Sequence, residues 1–353
     1  MPLTDLARSG LRFTTSEEAL PRLEAACAAH PGGARCEVIG ESEEGRPIGG
    51  VTLGRGPRLV TLVAGAHADE PVGPETLRLL VAEGLRQPEA WGDLMERFTF
   101  RIVPHVNPDA EVRNRAWIER WPDLGAYLLH RQREPPGRDV EFGYPDLRPE
   151  NRAASAFLFD GAPIALHLSL HGMSFAEGAL LLIERRWADR VNDLKEQWAV
   201  AVQDAGLRLH DHDRGGDKGF HYYGPGFWST PEGAAMRAHF EAGGDHATVV
   251  LFRSSSMEQA VATGADPETG ATPLCLVTEL PLFVLDAPYD HASGVPALYL
   301  RWQEELPLLT AASRRGDDLA PFTEPYGLRP LDLGTATRLQ LRAIELGLEA
   351  VSG

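Results

Sequence analysis

Short, fully apolar runs alternate along this chain with longer amphipathic segments. Leu59–Ala64, Phe98–Val103, Ile164–Leu170, Ala179–Ile183, Ala247–Phe252 and Leu274–Thr278 each read as a strand. Several are apolar on both faces, the pattern of strands covered on both sides rather than one. Between them, Pro74–Leu85 reads as a helix. The stretch Thr14-Thr15-Ser16-Glu17-Glu18 predicts the start of another, running to about Ala29, with hydroxyls placed to accept from first-turn N–H groups and acids against the positive helix end. Residues 35–53 predict two strands around the turn Glu43-Glu44-Gly45-Arg46-Pro47. A last helix, Thr335–Ala350, carries an apolar stripe at Leu339, Leu341, Ile344 and Leu348 and is expected to close the core. Buried strands separated by helices imply an α/β fold with a mostly parallel central sheet sandwiched by helices. Gly- and Pro-rich stretches at 131–149, 214–233 and 263–273 read as loops within one domain spanning 1–353, with no internal repeat.

Composition narrows the possible partners. With 353 residues, 43% of them hydrophobic, the chain has ample material for a core. Its 51 acidic residues outweigh 34 basic ones for a net charge of -17. A field of that sign repels phosphate backbones and anionic lipid, which argues against nucleic-acid and membrane partners and mildly favours cationic groups on a substrate. Cys27, Cys36 and Cys275 are odd in number and lack metal-ligand spacing, as expected of reduced cytoplasmic thiols. The N-terminus has no basic start followed by an apolar run, and no stretch approaches membrane-spanning length. Oligomeric state is left open.

Chemistry concentrates where strands end. The run Thr61-Leu62-Val63-Ala64 stops at Gly65, and His67-x-x-Glu70 follows before Pro71. A strand ending in a tight loop aims both side chains at one point, and together they supply two of the three protein ligands of a catalytic zinc. His171, at the end of the apolar strand from Ile164 and followed by Gly172, is placed to supply the third, because open α/β sheets bind ligands at carboxyl strand ends. His167, four residues earlier, reads as a buried supporting histidine. Glu279, at the end of Leu274–Thr278, is positioned to take a proton from the attacking water and pass it to the leaving amine. After Asn107-Pro108-Asp109 comes Arg113-Asn114-Arg115, from which Arg115, or failing it Arg113, is expected to stabilise the oxyanion formed on the attacked carbonyl. His210-Asp211-His212-Asp213 has the composition of a metal cluster, but neighbours in an extended segment point in opposite directions, so a solvated turn is expected.

The ordered set of motifs resembles the M14 metallocarboxypeptidase family, which includes deacylases of the aspartoacylase type. Gly65-Ala66-His67-Ala68-Asp69-Glu70-Pro71 is similar to its zinc motif, Asn107-Pro108-Asp109 to its Asn-Pro-Asp turn, His171 to its third ligand and Glu279 to its catalytic glutamate. Gly45-Arg46-Pro47-Ile48 is similar to the hairpin before its zinc strand. The resemblance covers about residues 15–285 and implies a mixed sheet of about eight strands, one zinc ion and hydrolysis of an amide bond. Two departures concern the substrate. The family carries an Asn-Arg pair that grips a terminal carboxylate; here Glu141 and Phe142 occupy that place within Gly137-Arg138-Asp139-Val140-Glu141-Phe142. A carboxylate and an aromatic ring do not clamp an anion, although Arg138 or Arg148 could restore the grip. A second alignment gives the role to Asn151-Arg152, which reads better as the start of a helix. The family's mobile tyrosine has no counterpart in Arg253-Ser254-Ser255-Ser256-Met257-Glu258, and the nearest aromatic cluster is His221-Tyr222-Tyr223, in a segment that is either a lid or a packed surface loop. Asn107, Arg113, Glu141, Phe142 and Tyr223 are the expected substrate-binding residues. The chain therefore reads as a carboxypeptidase-like zinc hydrolase acting on a peptide or small amide. The alternatives are a deacylase or amidase of compounds lacking a free carboxylate, and a catalytically silent binding protein on the same scaffold.

Overall fold

A computed structural model describes residues 2–30, 32–161, 163–289 and 294–352. Eleven strands form the sheet, with seven long members: β1 (Ala34–Glu41), β2 (Pro47–Gly54), β3 (Arg58–Ala64), β4 (Phe98–Val103), β5 (Ile164–Ala176), β6 (Gly178–Ile183) and, after three short strands, β10 (Leu274–Leu285). The short ones are β7 (Arg208–Leu209), β8 (Tyr222–Gly224), β9 (Phe227–Ser229) and, last in the chain, β11 (Leu328–Pro330). These fragments, two or three residues each and too short to carry a periodicity, are why the count differs from about eight. The sheet runs β1-β2-β4-β3-β5-β10-β6-β9-β8, with β4, β3, β5 and β10 mutually parallel, β1 and β2 antiparallel to their neighbours, and β6 antiparallel to β10 but parallel to β9.

The parallel strands carry apolar residues on both faces, and helices cover both faces. The Val72–Arg86 and Leu333–Ser352 helices pack on one face around Leu62, Leu168 and Leu276; Leu158, Met257 and Ala260, from the Pro149–Phe159 and Ser256–Thr263 helices, pack on the other around Val63, Val103 and Cys275. The helix Ser16–Ala28 starts as expected, with Thr15 Oγ1 accepting from Glu18 N–H and the Glu18 carboxylate accepting from Thr15 N–H, both at 3.2 Å. One strand expectation fails. The run Ala247–Phe252 is not in the sheet: His246–Val249 forms a helical turn capped by Asp245, and Val250 is 67% exposed. Only its last residue, Phe252, finds a buried place, so the apolar run has no sheet neighbour to pair with.

β3 ends beside the middles of β5 and β10, which run on to Ala176 and Leu285, past the strand ends expected at Leu170 and Thr278. Ala64 of β3 and Thr278 of β10 both pair with Leu170 of β5, and Glu279 pairs with His171. The chain leaves β3 toward β4 on one side and returns to β5 on the other, so the order reverses between β3 and β5. A crevice opens at such a reversal, outside the carboxyl ends of the strands.

Candidate functional site

Backbone geometry at the end of β3 sets the first two groups. Gly65 has φ +76°, and a Cβ there would lie 2.5 Å from His105 Nδ1. That left-handed step turns the chain over β4, and Glu70 N–H closes a tight turn on His67 O at 3.1 Å. His67 Nδ1 then lies 3.1 Å from Glu70 Oε1, His171 Nδ1 lies 3.1 Å from Glu70 Oε2, and the two Nδ1 atoms are 3.2 Å apart. Donors bound to one ion at 2.0–2.2 Å lie about 3.0–3.4 Å from each other for bond angles of roughly 90–110°. Two imidazole nitrogens and one carboxylate at these separations fit a zinc ion, and the set is that of catalytic rather than structural zinc.

Behind the donors stands a set of supporting contacts that explains why both rings present Nδ1. His171 Nε2 is held by Ser169 Oγ at 2.9 Å and by Glu141 Oε2 at 3.1 Å, and Asp139 Oδ2 faces His67 Nε2 at 4.0 Å. A carboxylate behind a ligating histidine fixes the ring and raises its basicity. The C-terminal helix also reaches this point, since Gln340 Nε2 donates to His171 O at 3.2 Å and to Thr278 Oγ1 at 3.3 Å while Gln340 Oε1 accepts from Thr76 Oγ1 at 2.7 Å. His167, fully buried, contacts Thr61 Oγ1 through Nδ1 at 2.9 Å, a core position in keeping with a supporting role.

Glu141 and Phe142 do not face a substrate terminus. Glu141 is 3% exposed, tied to His171 and accepting from Ser256 Oγ at 3.2 Å, while Phe142 packs edge-on against Phe252 at 5.1 Å. The Asp-x-Glu spacing of Asp139 and Glu141 turns both carboxylates toward the histidines, a relationship invisible until the 137–145 loop is folded against β5. Ser256, in the stretch lacking a tyrosine, completes that arrangement.

Of the arginines, the expected ones lie elsewhere. Arg115 pairs with Glu17 and Glu119, and Arg113 with Glu44 and Glu134, both with side chains more than a third exposed. The helix Pro108–Ile118 turns them toward the N-terminal helix and the β1–β2 hairpin instead of the crevice. Arg138 pairs with Glu43, and the buried Arg148 with Glu134 and Glu150, so neither reaches the crevice to act as a clamp. Asn107 caps its helix by accepting from Ala110 N–H and donates to Glu134. Asn151 lies in the Pro149–Phe159 helix and holds Val140 O at 2.6 Å. Tyr223 packs against the main core and is not in the crevice wall.

The residues that sequence reading missed are Arg131 and Arg133. Arg133 Nη1 lies 3.0 Å from Glu70 Oε1, and both arginines approach the buried Asp69, at 3.6 and 2.7 Å. A second Arg-x-Arg, within the 131–149 loop, was the available signal. A cavity of about 340 Å³ is lined at one end by Glu70, Arg133 and Glu279 and elsewhere by Arg214, Phe220 and Trp228. The 214–233 segment is thus in part a wall of the pocket, with Arg214 set over the Trp228 ring at 5.2 Å. Burial, reinforced by the Glu70 charge and partly opposed by His171 and Arg133, pushes the Glu279 carboxyl up to about 8. Burial would also raise Glu70, but the His67 and Arg133 charges and its histidine hydrogen bonds outweigh that and hold it well below the usual carboxylate range.

The family described as zinc carboxypeptidase (peptidase M14) matches residues 22–122. A metallocarboxypeptidase A-like protein of Trichophyton verrucosum is 26% identical over 179 residues, 42% of this chain and 41% of that protein. A carboxypeptidase B of Astacus astacus is 26% identical over 113 residues, covering 30% of this chain and 37% of that one. The chain thus spans about two-fifths of the length of these relatives. The crystal structure of carboxypeptidase A from Helicoverpa armigera shares the fold with a TM-score of 0.52 at 15% identity, covering 96% of this chain and 74% of that one.

Proposed function

We propose that this chain, matched over residues 22–122 by the zinc carboxypeptidase (peptidase M14) family, is a member of that family and a zinc-dependent hydrolase that cleaves amide bonds. The observation that carries the reading is the meeting of His67, Glu70 and His171 within 3.2 Å of one another beside Glu279 and Arg133. His67, Glu70 and His171 would hold a zinc ion, which would supply Lewis acidity toward a substrate carbonyl and an attacking water.

The chain's own residues do the rest. Glu279 accepts the proton of the attacking water and delivers it to the leaving nitrogen, a role suited to a carboxyl whose affinity for protons is raised by burial. Arg133 replaces Arg115 as the cation that stabilises the developing oxyanion; Asp69 and Glu70 hold its guanidinium beside the pocket. Glu141 and Asp139 orient the two imidazoles, and Gln340 anchors the backbone of His171.

Two substrate readings follow. For a peptide with a free C-terminus, Arg214 is the pocket cation placed to receive the carboxylate, because Glu70 and Asp69 already engage Arg133 and Arg131. The burial of Phe142 and the engagement of Glu141 with His171 favour instead an amide without a free carboxylate at that end. The test is to incubate zinc-loaded protein with a mixture of free-ended peptides, amidated peptides and N-acyl amino acids and follow it by mass spectrometry, with Glu279→Gln as control. Stepwise loss of C-terminal residues from free-ended peptides alone supports a carboxypeptidase. Cleavage indifferent to the carboxylate supports an amidase or deacylase. Turnover by the metal-free His171→Ala protein would sink the zinc-dependent reading.

A further inference from the structure

A second group of buried ligating side chains lies at His210-Asp211-His212-Asp213, whose composition and spacing predict a solvated turn. Glu177 directly follows β5, and His210 and His212 follow β7; all three are no more than 2% exposed. Glu177 Oε1 lies 3.0 Å from His210 Nδ1, and Oε2 lies 3.0 Å from His212 Nε2. The two imidazole rings are 3.8 Å apart at 36°. The alternation of an extended strand does not apply here, because the segment leaves β7 and wraps over the start of β6. Gly178 permits the approach, since a Cβ there would meet Arg208 O at 2.1 Å and His210 N at 3.0 Å.

We propose that Glu177, His210 and His212 form a second binding site for a divalent transition ion of the zinc class, distinct from the cluster of His67, Glu70 and His171. The alternative is a buried carboxylate satisfied by hydrogen bonds alone, and it has two: His212 Nε2 contacts Oε2 at 3.0 Å and Asp211 N–H donates to Oε1 at 3.2 Å, but these leave His210 unexplained. His210 Nδ1 is 3.0 Å from a carboxylate oxygen yet has no hydrogen-bond partner, so the ring nitrogen and the oxygen are directed past each other. His67 Nδ1 and Glu70 Oε1 are likewise 3.1 Å apart, and such separations suit donors converging on one ion with bonds of about 2.0–2.2 Å. Among the described residues, only these two histidines lie within ion-pair distance of Glu177. A buried carboxylate without a full positive charge is costly, and a divalent ion supplies one. Two imidazoles and a carboxylate suit zinc, cobalt, nickel or iron(II) better than calcium or magnesium, which take oxygen donors.

The position determines what the ion would do. Glu177 is six residues beyond His171 along β5 and its extension, roughly 20 Å at about 3.3 Å per residue. Paired catalytic metals sit about 3.5–4 Å apart, so this site does not share the reacting atoms. It ties the end of β5 to the segment that carries His210, Arg214 and Phe220 into the pocket wall. The ring of Tyr299, 4.6 Å from His212 and edge-on to it, closes the site from outside. The ion would therefore set the shape of the substrate pocket from a distance.

The deciding experiment counts metal. Full-length protein is stripped with a chelator, re-equilibrated with zinc and measured by mass spectrometry of the metal. Two equivalents are expected in the wild type, one in His171→Gln, and one in each of Glu177→Gln and His212→Asn. Zinc should still raise the melting temperature of His171→Gln, a test independent of whether the Glu177 and His212 variants fold. One equivalent in the wild type that survives in Glu177→Gln or His212→Asn and disappears in His171→Gln would overturn the proposal while leaving the first cluster intact. One equivalent that disappears only in the Glu177 and His212 variants would support this site and overturn the zinc reading of the first.

Discussion

Glu141 Oε2 lies 3.1 Å from His171 Nε2, on the opposite side of the ring from the cluster formed by Nδ1. A residue that reads in sequence as a departure from a substrate clamp is a support for the candidate metal ligand. Burial would lower the proton affinity of His171, but its contacts with Glu141 and Glu70 outweigh that and hold it well above the ordinary histidine value.

Glu141→Ala is therefore expected to weaken zinc binding about 10–100-fold, the usual cost of losing such a contact. Glu141→Gln, which keeps an acceptor, should lose less. Competition against a chromogenic chelator measures both, and unchanged affinity in the alanine variant would remove Glu141 from the metal's support.

Arg133→Ala should lower the rate of amide hydrolysis about 10²–10³-fold, the scale of losing one oxyanion donor, with zinc content retained. Arg115→Ala, on the outer face with Glu17 and Glu119, should fall within a few-fold of wild type. Steady-state assays of the two variants side by side would reverse the assignment if Arg115→Ala proved the damaged one.

Gly65→Ala is expected to destabilise the fold by at least about 1–2 kcal/mol, the penalty for an L side chain in left-handed backbone, with a further cost because its Cβ would meet the His105 ring. Denaturant melts give the loss, and zinc affinity should fall with it because His67 is two residues on.

Stability should fall on mild acidification even without metal. Burial holds His105 and His167 down to about 4, with Glu111 and Glu141 respectively opposing only in part. Their unfolded-state value is about 6.5, so as pH drops through 6.5 the unfolded chain takes up protons that the folded chain refuses until about 4. Each histidine contributes up to roughly 3 kcal/mol of stability at neutral pH that is lost across that window. Glu111, held down to about 2 as its His105, Arg78 and Ser16 contacts outweigh burial, extends the loss below its ordinary value of 4.5. Chelator-treated wild type and His105→Gln, melted in denaturant at about pH 7.5 and about pH 4.5, should differ in slope; identical pH dependence would show that His105 is not held neutral.

Much of the architecture was legible in the chain because burial on both faces leaves a local mark. Leu59–Ala64 and Phe98–Val103 could be read as strands from their apolar runs, and the stretch Thr14–Glu18 marked its helix start. His67 and Glu70 follow the end of β3, as the apolar run before them implies, whereas β5 and β10 continue past His171 and Glu279 to Ala176 and Leu285. Ala247–Phe252 misled because its apolar run is mostly solvent-exposed, and nothing within the run itself records that. What the tertiary structure alone decided is which side chains from distant loops turn inward. The first Arg-x-Arg faces the N-terminal helix and the second faces the crevice; Glu141 meets a histidine thirty residues away; and His210 and His212 are drawn onto Glu177 by a close approach at Gly178. These outcomes depend on the path of loops between buried elements, and a loop's path is set by contacts far away in sequence, which leave no periodic trace in the residues of the loop itself.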